Sequence, residues 1–132
     1  MPLKISSTTR GLVHAPVFVG PINGTDTVKV DISDLSDKEV DPDGYLKPGV
    51  PFMKDGNLIG SSGVCWGVTI EAIKITTGNT DAILDAETDC FVTVGFGLCN
   101  RDIMEDNLGR ALTSDEIAGF DLAGSNCRLT RT

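Results

Sequence analysis

The residue with the widest chemical repertoire is the one histidine, His14. A Ser-His-Asp or Cys-His nucleophilic site would have to use it. It lies in a stretch punctuated by Pro2, Pro16 and Pro21, and catalysis needs groups held on rigid elements. The residues therefore argue against such a site. The carboxylates Asp81, Asp85, Glu87 and Asp89 are close enough in sequence to supply an acid–base pair, but a solvated acidic loop is the simpler reading. Asp41-x-Asp43 has the opening spacing of a calcium loop. The following YLKPGVPF lacks the further oxygen ligands and the terminal glutamate, so Asp41-Pro42-Asp43-Gly44 reads as a turn. The glycines between Gly56 and Gly67 form neither GxGxxG nor GxxxxGK[ST]. Gly95-x-Gly97 lacks a third glycine and a βαβ setting, so no phosphate cradle is indicated. Trp66 and Tyr45 offer flat faces for a ligand; Trp66, in phase with Val64 and Val68, is expected in the core. Cys65, Cys90, Cys99 and Cys127 contain no C-x-x-C pair, which argues against a zinc ribbon or a thioredoxin site. Four cysteines allow three full pairings. Free thiols are the default for a chain made in a reducing compartment, and disulfides the alternative. No cofactor or metal is expected, and no enzyme.

The elements that would hold these residues are mostly strands. TDTVKVDI (25–32) alternates, with Val28, Val30 and Ile32 on one face. Residues 45–60 suggest two short strands joined by a turn at 54–57. VCWGVTIEAIKI (64–75) is the longest strand candidate, with a change of parity at Ala72 that calls for a bulge or bend. CFVTVGFGL (90–98) puts Cys90, Val92, Val94, Phe96 and Leu98 on one face, and simple alternation sends Cys99 to the other. Gly95 and Gly97 are expected to admit a neighbouring backbone. Asn100 or Asp102 starts a short helix that ends near Gly109. Thr113 and Glu116 form a capping box for a second, running to about Phe120. The final NCRLTRT reads as a polar tail with Cys127 accessible.

A length of 132 residues suits one domain, and Gly plus Pro at 21 residues indicates many turns. The net charge of −8 is unevenly spread. Residues 1–25 carry +2, from Lys4 and Arg10, and residues 26–132 carry −10. A body this acidic is a poor partner for nucleic acid. No apolar run is long enough to span a membrane, and residues 1–20 have no continuous apolar stretch of signal-peptide type. The expected organisation is an extended arm (1–25) on a single β-rich domain (26–132), mainly β with one or two short helices. An extended arm has free backbone groups for adding to another protein's sheet edge, which favours binding or assembly over catalysis.

Between residues 45 and 120 the sequence resembles the lambda-type head decoration proteins of tailed bacteriophages, the capsid-stabilising cement proteins. The resemblance rests on Leu46-Lys47-Pro48-Gly49-Val50 and on Gly63-Val64-Cys65-Trp66-Gly67-Val68. It continues through Val92-Thr93-Val94-Gly95-Phe96-Gly97-Leu98-Cys99-Asn100-Arg101 and Leu112-Thr113-Ser114-Asp115-Glu116-Ile117. Each motif alone is weak; their order and spacing carry the resemblance. It implies a small β-tulip-like barrel or sandwich, and homotrimers at three-fold positions on the outside of the head. It also implies an N-terminal arm that reaches onto the major capsid protein. Candidate arm contacts are Leu3, Lys4, Ile5, Arg10, Leu12 and Val13. The implied location is the outer virion surface, after assembly from the host cytoplasm, with no nucleic-acid or membrane partner. An accessible Cys127 would be placed to cross-link neighbouring chains. The alternative is a small carbohydrate- or ligand-binding β module using Trp66 or Tyr45.

Overall fold

The structure, a computed structural model, describes residues 15–75, 83–84 and 89–130. Its organising element is the strand Asp89–Cys99, the longest of the described strands. In chain order the strands are β1 (Gly24–Asp31), β2 (Tyr45–Leu46), β3 (Pro51–Phe52), β4 (Gly67–Thr69), β5 (Ile73–Lys74), β6 (Ile83–Leu84), β7 (Asp89–Cys99) and β8 (Cys127–Leu129). Two helices, α1 (Arg101–Leu108) and α2 (Ser114–Asp121), lie between β7 and β8.

β7 is flanked on one side by β1, antiparallel from Gly24↔Phe96 to Asp31↔Asp89. Its other side carries three short partners in succession. These are β6 at Phe91 and Cys90, β4 at Gly95 and Val94, and β8 at Gly97–Cys99. β3 extends the sheet beyond β4, while β2 and β5 form a separate two-stranded sheet. The sheets are not closed into a barrel. β8 runs parallel to β7, which requires a crossover connection, and the helices supply it.

The expected alternation holds in β1, where Val28 and Val30 face the core. The turn at 54–57 also forms: Met53 N donates to Asn57 O at 2.9 Å, and Gly56 sits at φ +89°. Gly56 is required there, because a Cβ would lie 1.8 Å from the carbonyl oxygen of Lys29 in β1. Asn100, not Asp102, caps α1, its side chain accepting from Ile103 N at 3.1 Å, and Gly109 closes the helix. Met104 and Leu108, one turn apart, enter the core. The Thr113/Glu116 capping box is present in full, and Phe120 is buried.

Three expectations are corrected. Residues 64–75 do not form one long strand; only β4 and β5 do, separated at the bend beside Ala72. β7 does not keep a single phase: Cys90, Val92 and Val94 are buried, but Leu98 is exposed and Cys99 buried. The burial pattern changes at Gly95: from there Gly95, Gly97 and Cys99 are buried while Phe96 is half-buried. Gly97 takes a φ of +149°, which few residues other than glycine adopt. Gly95 and Gly97 make room chiefly for side chains. A Cβ on Gly95 would lie 3.0 Å from the Phe18 ring and 3.1 Å from Ile70. One on Gly97 would lie 3.3 Å from the Phe18 ring, with the Pro21 carbonyl oxygen the nearest backbone at 3.7 Å.

Candidate functional site

The candidate arm contacts Leu3, Lys4, Ile5, Arg10, Leu12 and Val13 lie outside the described residues, as do His14, Asp81, Asp85 and Glu87. Residues 15–25, expected to belong to the arm, are part of the body. Val17 is 1% exposed and its carbonyl accepts from Asn100 N at 2.8 Å. Val19 N donates to Leu98 O and Asn23 N to Phe96 O, both at 2.8 Å, and Asn107 Nδ2 holds the Ala15 carbonyl at 3.1 Å. Pro16 and Pro21 interrupt a regular ladder, yet the residues between them still pair along the upper half of β7.

Trp66 is half-buried rather than in the core. Strand pairing begins only at Gly67, so residues 64–66 are outside the alternation that would have put Trp66 in phase with Val68. Cys65 turns inward instead. Its N–H donates to Gly119 O at 3.0 Å and its carbonyl accepts from Asn126 N at 3.3 Å. The indole donates to Asp26 Oδ2 at 2.8 Å and meets Phe96 edge-on at 5.6 Å, and Lys54 Nζ stands 4.9 Å from the ring centre. The indole hydrogen bond, with the Thr27 N–H behind it, holds the Asp26 carboxyl below its ordinary value. Beside the ring, Met53, Lys54, Val64 and Gly124 help line an open cavity of about 470 Å³. Tyr45 belongs to the separate β2–β5 sheet, with Lys74 Nζ 5.5 Å from its ring, so the two candidate platforms do not share a face.

Cys127 is not accessible. It is 1% exposed, because the expected polar tail is a strand, β8, docked on β7. Burial removes the basis for a cross-link between chains through this thiol. No disulfide joins the four cysteines. Three of them converge beneath the upper half of β7. Cys127 Sγ donates to Gly95 O at 3.4 Å, Cys99 Sγ to Gly97 O at 3.9 Å and Cys65 Sγ to Gly67 O at 3.8 Å. Cys127 is within hydrogen-bonding reach of both Cys65 and Cys99. Hydrogen bonds to Cys127, from Cys65 first and then Cys99, lower its pKa against the cost of burial. The same contacts, with burial, push Cys65 and Cys99 up. Sequence spacing gave no sign of this cluster, since the three residues come from three segments and Cys99 has the unexpected phase.

A second cluster joins the two helices. Arg110 binds Glu116 through both nitrogens, at 2.9 and 3.1 Å, and Glu116 also accepts from Thr113 N at 2.8 Å. Burial pushes the Glu116 carboxyl up. The Arg110 and Thr113 hydrogen bonds together outweigh it and hold the carboxyl below its ordinary value. Only the capping-box half of this arrangement was visible in sequence. Asp41 Oδ1 accepts from Asp43 N and Tyr45 N at 2.9 and 3.0 Å, the geometry of the expected turn. Among the described residues no group of three His, Cys, Asp or Glu is placed to hold a metal ion, and no helix is long and apolar enough to cross a membrane.

Comparison with protein family models, with curated proteins and with solved structures finds no significant match to the chain.

Proposed function

We propose that the chain is a lambda-type bacteriophage head decoration protein. In this reading it forms a homotrimer at three-fold positions on the outer surface of the head and stabilises the major capsid protein lattice. Its role is structural rather than catalytic, and its finer fold is the β-tulip of that family. The observation that carries the reading is the way the four resembling segments fall on the framework. Residues 46–50 lead from β2 to β3, 63–68 run through Cys65 into β4, 92–101 cover β7 and the α1 cap, and 112–117 start α2. Each segment carries buried core residues, among them Leu46, Val50, Cys65, Val68, Val92 and Leu112, so the resemblance covers core positions together with the turns between them. The charge division agrees with it: the −10 carried by residues 26–132 suits a body facing away from packaged DNA.

The docking of residues 15–25 on β7 shortens the segment left to reach a partner to residues 1–14, which still hold Lys4 and Arg10. Three such arms on one trimer raise the effective concentration of the second and third contacts. Avidity then exceeds single-arm affinity by roughly 10²–10⁴. Binding to one lattice form alone stabilises that form by linkage. The test mixes purified protein with undecorated expanded heads and images them. Density at three-fold positions is expected for the full chain, and none for a chain starting at Ala15 that remains folded. Full decoration by the truncated chain would reject the arm.

The half-exposed face of Trp66 favours a second reading, a small carbohydrate- or ligand-binding module. Lys54 and Asp26 already engage the ring, so a ligand must displace Lys54. Saturable quenching of Trp66 fluorescence by a glycan, tightened in Lys54→Ala, would support this reading over the first.

A further inference from the structure

The buried thiols Cys65, Cys99 and Cys127 serve neither reading. Each is 0–1% exposed. Each also has a backbone carbonyl of β4 or β7 within reach of its weak donor, at Gly67, Gly97 and Gly95 respectively. Among the described residues no group of three such side chains has the arrangement that holds a metal ion. What adjacent thiols can still do is join in pairs. Cys99 and Cys127 are diagonal in the ladder, because Cys127 lies opposite Gly97 and Cys99 opposite Leu129. They are therefore not directly opposite one another, and no backbone hydrogen bond joins residue 99 to residue 127. Cys65 is better placed. Its carbonyl accepts from Asn126 N at 3.3 Å, and the Asn126 side chain donates to Trp66 O at 3.1 Å, so segments 65–66 and 126–127 run side by side.

We propose that Cys65 and Cys127 are a dithiol that closes to an intrachain disulfide when the protein meets a low-molecular-weight disulfide such as oxidised glutathione, stapling β8 to the segment leading into β4. The inference is independent of the capsid reading. The exchange balances without any other reactant. Local opening of β8, held by three register positions, exposes Cys127. Its thiolate attacks one sulfur of the oxidant and forms a mixed disulfide, releasing one small thiolate, which takes up a proton. As β8 re-docks, Cys65 loses its proton and attacks the Cys127 sulfur. The Sγ–Sγ bond forms and the second small thiolate leaves. Two protein thiols are oxidised and one small disulfide is reduced to two thiols. Cys127 acts first because it lies on the short strand that opens, while Cys65 stays behind in the body. Cys99 remains a thiol.

The test treats the folded full chain with excess oxidised glutathione. Remaining thiols are then alkylated under denaturing conditions and the bridge is mapped by peptide mass spectrometry. The expected result is a mass lower by two hydrogens, loss of two of the four alkylatable cysteines, and a peptide linking Cys65 to Cys127 that disappears on reduction. The Cys99→Ser and Cys90→Ser variants should keep the bridge, and Cys127→Ala should lose it. If these variants do not fold, the peptide map of the unaltered chain decides alone. Four alkylated cysteines, a bridge to Cys90 or Cys99, a stable glutathione adduct or a dimer linked between chains would each overturn the proposal.

Discussion

The two halves of β7 are built on opposite principles. From Cys90 to Val94 the strand alternates and sends Cys90, Val92 and Val94 into the core, with β1 alongside in unbroken register. From Gly95 to Cys99 it carries two glycines, changes phase, and is covered by what others bring: the ring of Phe18, β4 and β8. The lower half stabilises the fold by inserting side chains. The upper half does so by leaving room for them. The first is vulnerable to deletion of volume, the second to its addition. The upper half also collects the docked residues 17–23, the α1 cap at Asn100 and the three-thiol cluster, so whatever loosens it reaches the chain's least regular parts together.

The sharpest way to break this contrast is Gly97→Val. The backbone there has φ +149°, and a Cβ would stand 3.3 Å from the Phe18 ring. Backbone strain and overpacking together should cost about 3–5 kcal/mol, measured by urea unfolding. A loss under 1 kcal/mol would mean that Phe18 is not seated on the glycines. Next in size is Val92→Ala in the lower half. It removes two methyl groups from a fully buried position, at about 2–3 kcal/mol including the cavity. Adding volume to the upper half should therefore cost more than removing it from the lower. The reverse order in the same urea series would abolish the distinction between the halves.

How far the sequence announces each half follows from the same physics. Alternation is a local signal, so β1 and the lower half of β7 are readable from Val28, Val30, Val92 and Val94. Capping is local too, and Asn100, Gly109 and the Thr113/Glu116 pair mark the helices. The burial of Cys99 and the exposure of Leu98 are not readable, because they depend on what distant segments, residues 17–23 and β8, bring to this half of the strand. β8 is not readable either. Its three residues sit in a short, mostly polar run, and they become a strand only because the helical crossover returns them to an open edge of β7. The half-burial of Trp66 has a related cause: strand pairing starts only at Gly67, so alternation does not extend to residues 64–66. Of the candidate site, the sequence supplies residue types and charge. It could not show that Cys65, Cys99 and Cys127, far apart in the chain, share one buried position.

The smallest effect tests whether α2 supports the upper half. Arg128 Nη1 donates to Phe120 O at 3.3 Å and Cys65 N to Gly119 O, so α2 braces both β8 and the segment before β4. Glu116 anchors the start of α2 through Thr113 and Arg110. Its carboxyl is held below the ordinary glutamate value in the folded state. A carboxyl depressed by folding contributes stability that is complete above the unfolded pKa and is lost as pH falls through the folded one. Glu116→Gln keeps a residue compatible with the capping box but gives up the charge on Arg110. It should therefore cost about 1 kcal/mol at neutral pH. The gap in Tm between the two proteins should be widest at neutral pH, begin to narrow near the ordinary glutamate pKa, and close below the depressed one. Amide exchange at neutral pH should also rise in β8 more than in β1. A gap that stays constant down to strongly acid pH would show that the charge on Glu116 contributes nothing. Equal exchange in β8 and β1 would show that α2 does not brace the upper half of β7.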